Sequence, residues 1–292
     1  MMAMPRVRLS DVSLHVAIHG EGEPLILLHG FTGSGEQWMV QVEEFASRFR
    51  TIAVDLLGHG RSDAPADPQR YRTERCVADL AELLYALGIE RACWLGYSMG
   101  ARVALAFAVA HSERVRALVL EGVAPGIEDP QQRADRVAQD EALADSIERD
   151  GIEPFVEAWT QQPLFASQAR LGPAFLAAAR AARCANDPRG LANTLRGMGT
   201  GAQEPLWASL PLLALPTLLV VGEEDTKFRG IAAAMAARMA RAQVAIIPQA
   251  GHAAHVENPA AFNARVLRFL TQVAGNRTRA AHDISRVSHS IK

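Results

Sequence analysis

Seven short runs of mainly aliphatic and β-branched residues recur along the chain, at 12–18, 25–28, 51–54, 92–95, 115–120, 218–221 and 244–247. Most are continuous apolar stretches, not apolar–polar alternations, which is the pattern of strands covered on both faces. Helical patterns at 36–48, 73–87, 99–111, 230–240 and 259–273 separate them. This order implies an α/β protein with a mostly parallel central sheet of about eight strands and helices on both faces. The first run differs, because residues 7–9 and 12–18 flank Ser10-Asp11 and the turn-forming Gly20-Glu21-Gly22-Glu23-Pro24 follows. An antiparallel hairpin is expected there, at the sheet's edge.

Strand signal disappears between Val123 and Pro211, where the chain becomes helical, charged and punctuated by Pro154, Pro163, Pro173 and Pro188. The chain therefore reads as a core over 1–122, an inserted helical cap over 123–211, a second part of the core over 212–273, and a polar, unpatterned tail over 274–292. The tail is expected to be disordered or a cloning remnant.

Thirty basic against 32 acidic residues leave a net charge of −2, so no global basic field exists to hold a nucleic acid or an anionic membrane. Only Lys227 and Lys292 are lysines; the remaining basic residues are arginines, a bias expected of GC-rich coding. Cys76, Cys93 and Cys184 are odd in number, far apart and form no CxxC, which argues against a disulfide framework and a metal site. The amino terminus lacks a signal-peptide h-region, and no apolar run approaches the roughly 20 residues of a membrane span. A cytoplasmic location is the expectation.

The segment Cys93-Trp94-Leu95-Gly96-Tyr97-Ser98-Met99-Gly100-Ala101-Arg102 places G-x-S-x-G directly between an expected strand and an expected helix. In that context the motif is a nucleophile elbow: a strained turn exposes Ser98 at the strand's carboxyl end, and Gly96 and Gly100 avoid neighbouring turns. Serving instead as a helix cap is the structural alternative for Ser98. A serine hydroxyl at neutral pH needs a base beside it, usually a histidine oriented by a carboxylate. His252, after the last expected strand, is the candidate base and His255 its rival; Asp225, in Gly222-Glu223-Glu224-Asp225, is the candidate acid, with Glu121 as a substitute. Glu223 and Glu224 read as surface or helix-initiating charges, and His59, in the glycine-rich loop 55–62, as a loop hydrogen-bonder. Arg102 is the only charge on an otherwise apolar helix, one turn from Ser98. It either snorkels to water, pairs with a protein acid, or answers a bound anion.

The segments LLHGFTGSGEQW, DLLGHGRSD, LGYSMGAR, VGEEDTKF and GHAAHVENPAAF together resemble the α/β-hydrolase superfamily over residues 5–273. Tyr97, Arg102, the segment from Trp159 to Phe165, the segment from Leu195 to Gly201, and Gly222-x-x-Asp225-x-Lys227-Phe228 narrow the resemblance to the 2-succinyl-6-hydroxy-2,4-cyclohexadiene-1-carboxylate synthases of menaquinone biosynthesis. The resemblance implies an α/β-hydrolase fold and elimination of pyruvate from a small tricarboxylate without metal or organic cofactor. Ser98 would act as a base activated by His252 and Asp225, with the Phe31 and Met99 amides as the oxyanion hole. It further implies Arg102, Arg136 and Arg183 as carboxylate partners and Tyr97 and Trp159 as pocket walls, although Arg133 and Arg180 lie one helical turn from the two cap arginines and compete with them. Ala101 departs from the family pattern, which has a second glycine there, and tighter packing with retained activity is expected. Lys227 matches the pattern without a physical account. Oligomeric state stays open between a monomer and a weak homo-oligomer.

Two other functions compete. A serine esterase or carbon–carbon bond hydrolase would use the same residues for nucleophilic attack, but its neutral substrates need no arginines. A catalytically idle ligand receptor on this fold would have no need of a complete Ser98, Asp225 and His252 set.

Overall fold

A computed structural model describes the backbone of residues 5–289 and the side chains of residues 5–275. Among the described residues nine strands and α-helices precede the cap: β1 (Arg6–Arg8), β2 (Ser13–His19), β3 (Glu23–Leu28), α1 (Met39–Phe45), β4 (Phe49–Val54), α2 (Thr73–Ala86), β5 (Ala92–Tyr97), α3 (Met99–Ala110) and β6 (Val115–Glu121). The cap then carries α4 (Pro130–Asp150), α5 (Ile152–Thr160), α6 (Gly172–Cys184) and α7 (Pro188–Met198). The chain returns as β7 (Thr217–Gly222), α8 (Thr226–Ala236), β8 (Ala242–Ile247), α9 (Ala254–Glu257) and α10 (Pro259–His289).

The eight strands lie in the order β1-β2-β4-β3-β5-β6-β7-β8. β1 and β2 form the antiparallel edge, and every pairing from β4 to β8 is parallel. Because side chains alternate across a strand, a buried apolar run must supply two cores at once. Ile26, Leu28, Trp94, Leu118 and Leu120 pack on one face with residues of α2, α3 and α8. Leu25, Leu27, Leu95, Val119 and Val220 pack on the other, against α1 and α10. The parallel register brings the carboxyl ends of β3, β5, β6, β7 and β8 to one edge, where the loops of open α/β sheets form sites.

The cap has its own small apolar cluster of Ala144, Ile147, Phe155, Val156, Leu191, Ala192 and Leu195. Its prolines open elements: Pro130 and Pro188 follow the N-caps Asp129 and Asp187, whose carboxylates accept from the amides of Gln132 at 2.7 Å and Gly190 at 3.1 Å. Arg196 on α7 reaches Glu141, Asp145 and Glu148, three acids on one stripe of α4, and so locks the two helices side by side.

Two boundaries differ from the sequence expectation. α8 begins at Thr226 because Asp225 itself caps it, accepting from the Phe228 amide at 3.2 Å. α10 continues to His289 through the stretch from 274 that was expected to be unstructured. Proline is absent from 276–289, which keeps an Ala/Arg-rich continuation compatible with helix. Side chains from 276 and all of 290–292 lie outside the described residues.

Candidate active site

β5 ends at Tyr97 and α3 starts at Met99, which leaves Ser98 alone to turn the chain, at φ 50° and ψ −106°. A non-glycine residue holds that geometry only when its surroundings dictate it. Here they do, since a Cβ on Gly96 would collide with the Gly100 carbonyl, and one on Gly100 with the Leu28 carbonyl. Only glycines let strand, turn and helix pack this closely. Ala101 is fully buried in α3, directly behind Gly96.

Ser98 Oγ lies 3.1 Å from His252 Nε2, and His252 Nδ1 lies 2.8 Å from Asp225 Oδ2. Because a carboxylate accepts, Nδ1 carries the proton and Nε2 is left to accept from the serine hydroxyl. The rivals for these roles meet one another instead. His255 Nδ1 approaches Glu121 Oε2 to 2.8 Å, off the line of a hydrogen bond, while Glu121 Oε1 accepts from the His255 amide at 3.0 Å, and both side chains are fully buried. The Tyr97 ring lies between the two histidines, 5.3 Å from His252 and 4.8 Å from His255. Burial, followed by the Glu121 charge, pushes its phenol well up, so it is a neutral wall and donor.

The loop after β3 holds the second expected oxyanion donor. A Cβ on Gly30 would strike the Tyr97 ring, so Gly30 lets the loop lie against the elbow. His29 Nε2 accepts from the Leu56 amide at 3.0 Å, so its Nδ1 donates to the Gly30 carbonyl at 2.7 Å. Burial holds His29 below its ordinary range, and burial beside His29 takes His59 down to about 3. His59 Nδ1 donates to the Leu57 carbonyl at 3.1 Å, which gives it a structural role in its loop. Among the described residues neither the Phe31 nor the Met99 amide has a protein acceptor.

These groups open onto a cavity of about 920 Å³, roofed by the cap and lined by Phe31, Tyr97, Ser98, Arg102, Trp159 and Arg183 among others. Arg136 and Lys227 also line it, whereas the competing Arg133 and Arg180 do not; Arg133 pairs with Glu204. Lys227 Nζ sits 5.6 Å from the Phe228 ring, which packs 4.5 Å from that of His252. Arg136 donates to Asp140 at 2.8 Å, so one expected carboxylate partner already holds a protein carboxylate. Arg183 lies 5.8 Å above the Phe165 ring with no acid partner among the described residues, and burial lowers its pKa. Trp159 presents a buried, unpartnered Nε1 in the same wall.

Among the described residues Arg102 has no protein acid as a partner. Its guanidinium donates to Gln203 Oε1 at 2.8 Å and to the Met198 carbonyl at 2.9 Å, both neutral acceptors. Burial, with Arg136 nearby, pulls it down to about 10, still cationic at neutral pH. The charge is thus solvated by dipoles but not cancelled.

Sequence reasoning missed several residues that hold the site. Glu257 Oε2 accepts from the Gly251 amide at 2.9 Å and Oε1 from the Ala253 amide at 3.3 Å, bracketing His252. Arg170 of the cap pairs with Glu224 and donates to the Gln249 carbonyl at 3.0 Å, so it ties together the loops that carry the acid and the base. A carboxylate five residues after His252 was the one available signal; for Arg170 and Gln203 the sequence carries none.

Known proteins bear on this geometry. A family model described as alpha/beta hydrolase fold matches residues 23–259. A Bacillus subtilis (strain 168) protein is 42% identical over 276 residues, covering 93% of this chain and all of that one; its name is provisional, 2-succinyl-6-hydroxy-2,4-cyclohexadiene-1-carboxylate synthase. The Serratia proteamaculans (strain 568) protein of the same name, without that qualification, is 34% identical, covering 84% and 92% of the two chains. Among solved structures, MenH from S. aureus superposes with a TM-score of 0.86 at 31% identity, covering 89% of this chain and 99% of that one.

Proposed function

The chain belongs to the 2-succinyl-6-hydroxy-2,4-cyclohexadiene-1-carboxylate synthases of the alpha/beta-hydrolase fold, and from that membership we propose how its residues carry the reaction. The enzyme eliminates pyruvate from 2-succinyl-5-enolpyruvyl-6-hydroxy-3-cyclohexene-1-carboxylate, a step of menaquinone biosynthesis. The names of substrate and product define the bookkeeping of bonds. A 3-ene becomes a 2,4-diene, so the proton leaves C2, the double bond shifts, and the C5–oxygen bond breaks to release the enol of pyruvate. C2 is acidic because it adjoins the succinyl ketone.

Ser98 Oγ takes the C2 proton as its own proton passes to His252 Nε2, and Asp225 stabilises the imidazolium that results. The Phe31 and Met99 amides receive the charge that collects on the ketone oxygen as C2 loses its proton. The His252 proton can then return through Ser98 to the departing enolate. No acyl-enzyme is required, and no step calls for a metal or organic cofactor.

One observation favours this reading over ester hydrolysis: Arg102 and Arg183 line the cavity of Ser98, both partly buried, and among the described residues neither is paired with a protein carboxylate. A substrate with carboxylates on ring, succinyl arm and enolpyruvyl arm supplies the missing partners; a neutral ester does not. The test is pyruvate release from the enolpyruvyl substrate by the purified protein. Release is expected, and a burst of acyl-enzyme from an activated ester without any pyruvate release would instead establish a hydrolase.

A further inference from the structure

Asn186, just beyond the end of α6, is 5% exposed and its side-chain amide joins three segments that are distant in sequence. Nδ2 donates to the Thr32 carbonyl at 3.0 Å and to the Arg183 carbonyl at 3.0 Å, while Oδ1 accepts from the Gly60 amide at 2.9 Å. Two carbonyls on one side and an N–H on the other admit a single orientation of this amide. Thr32 follows Phe31 directly and stands at φ 68°, in the left-handed region that β-branched residues avoid. The turn it belongs to closes through the Gly33 amide on the Gly30 carbonyl at 3.0 Å.

A strained residue persists where its neighbours over-determine it, and among the described residues the one side chain that grips Thr32's own backbone is that of Asn186. We propose that Asn186 is a positioning residue for the reaction: it holds Thr32 in the strained turn that presents the Phe31 amide to the developing oxyanion. The same amide anchors the last turn of α6, which carries Arg183, so seating the cap and assembling the oxyanion hole are one event. The role given to Phe31 rests on the reading of the preceding section; the grip on the 30–33 turn does not.

A glycine at position 32 would occupy the left-handed region without strain and would no longer need to be held. The experiment is therefore a double-mutant cycle of Asn186→Ala and Asn186→Asp, each alone and combined with Thr32→Gly, after circular dichroism has established that each variant folds. The aspartate keeps the acceptor for Gly60 and loses both donations. On the wild-type background each Asn186 variant is expected to lower kcat for pyruvate release by about tenfold with a smaller change in KM, and by only about twofold on the Thr32→Gly background. Equal losses on both backgrounds, or wild-type behaviour of Asn186→Asp, would overturn the proposal, because a packing role would not depend on residue 32. Hydrogen exchange of the 30–35 amides reads the turn without reference to chemistry: faster exchange is expected in both single Asn186 variants, and unchanged exchange refutes the grip. Should the wild type release no pyruvate, the functional reading falls and the exchange measurement alone decides the role of Asn186.

Discussion

The floor of the cavity and its roof are built by different means. Among the described residues the non-glycine positive-φ positions are Thr32, Ser98 and Gln249, in the loops that follow β3, β5 and β8; Thr32 and Ser98 line the floor, and Gln249 sits in the loop that leads to His252. In the cap the described positive-φ residues are the glycines 126, 151 and 172, while Arg136, Trp159 and Arg183 project from regular helices. The floor works through backbone amides and a hydrogen-bond relay whose placement tolerates little error; the roof works through long cationic side chains that adapt. Strain is concentrated around the Ser98–His252–Asp225 relay, and reach is concentrated in the cationic wall that the cap adds to the cavity.

That contrast can be broken cleanly at its extreme. Ser98→Ala should lower pyruvate release by about a thousandfold or more while substrate affinity, measured by calorimetry, changes little; ordinary turnover by the alanine variant would remove Ser98 from the mechanism. Arg183→Ala tests the opposite half: kcat/KM should fall by about 10- to 100-fold, mainly through KM, and Arg183→Lys should recover only part of it. A loss confined to kcat would make the roof part of the chemistry. Glu257→Gln, which swaps a bidentate acceptor for an amide with one acceptor, should lower kcat by about tenfold at unchanged KM, since it loosens His252 without touching the cations.

The smallest effect concerns the cost of the floor in stability. His59 stays neutral in the folded protein down to about pH 3, whereas the unfolded chain protonates it below its ordinary value of 6.5. The unfolded state thus binds more protons over that interval, and stability falls as pH drops through it, by about 1.4 kcal/mol per pH unit for one such group. His29, also held down by burial, adds to the slope in the same direction. Denaturant unfolding of His59→Gln between pH 6 and 4 should show a shallower dependence than the wild type; an identical slope would mean that His59 is protonated in the fold.

The floor was legible in the sequence for a physical reason. A left-handed serine between two packed elements demands glycine at fixed offsets, so backbone geometry writes itself into a short local pattern around Ser98. The end of β7 before Asp225 was equally readable, because a buried parallel strand is a continuous apolar run; β8 before His252 is an edge strand, half exposed, that keeps enough apolar residues to be read. Arg102 could be singled out as a lone charge on an apolar helix, but its partner could not: Gln203 lies 101 residues away and belongs to the cap's return. Asn186 illustrates the same limit, since two of its three bonds span the chain and leave no period or spacing behind. The extension of α10 past 274 was missed because its polar, apparently patternless sequence offers no apolar stripe to read.

Among the described residues Arg102, Arg136, Arg183 and Lys227 share one cavity with Asp140 and Glu36 as its lining acids, in a protein whose net charge is −2. At physiological ionic strength charges are screened beyond about 8 Å, so a trianion in solution feels little of the molecule's overall charge. It meets an attractive field only on arriving at the cavity mouth. Capture is therefore short-ranged, and added salt should tax the tightness of the bound state more than the frequency of encounters.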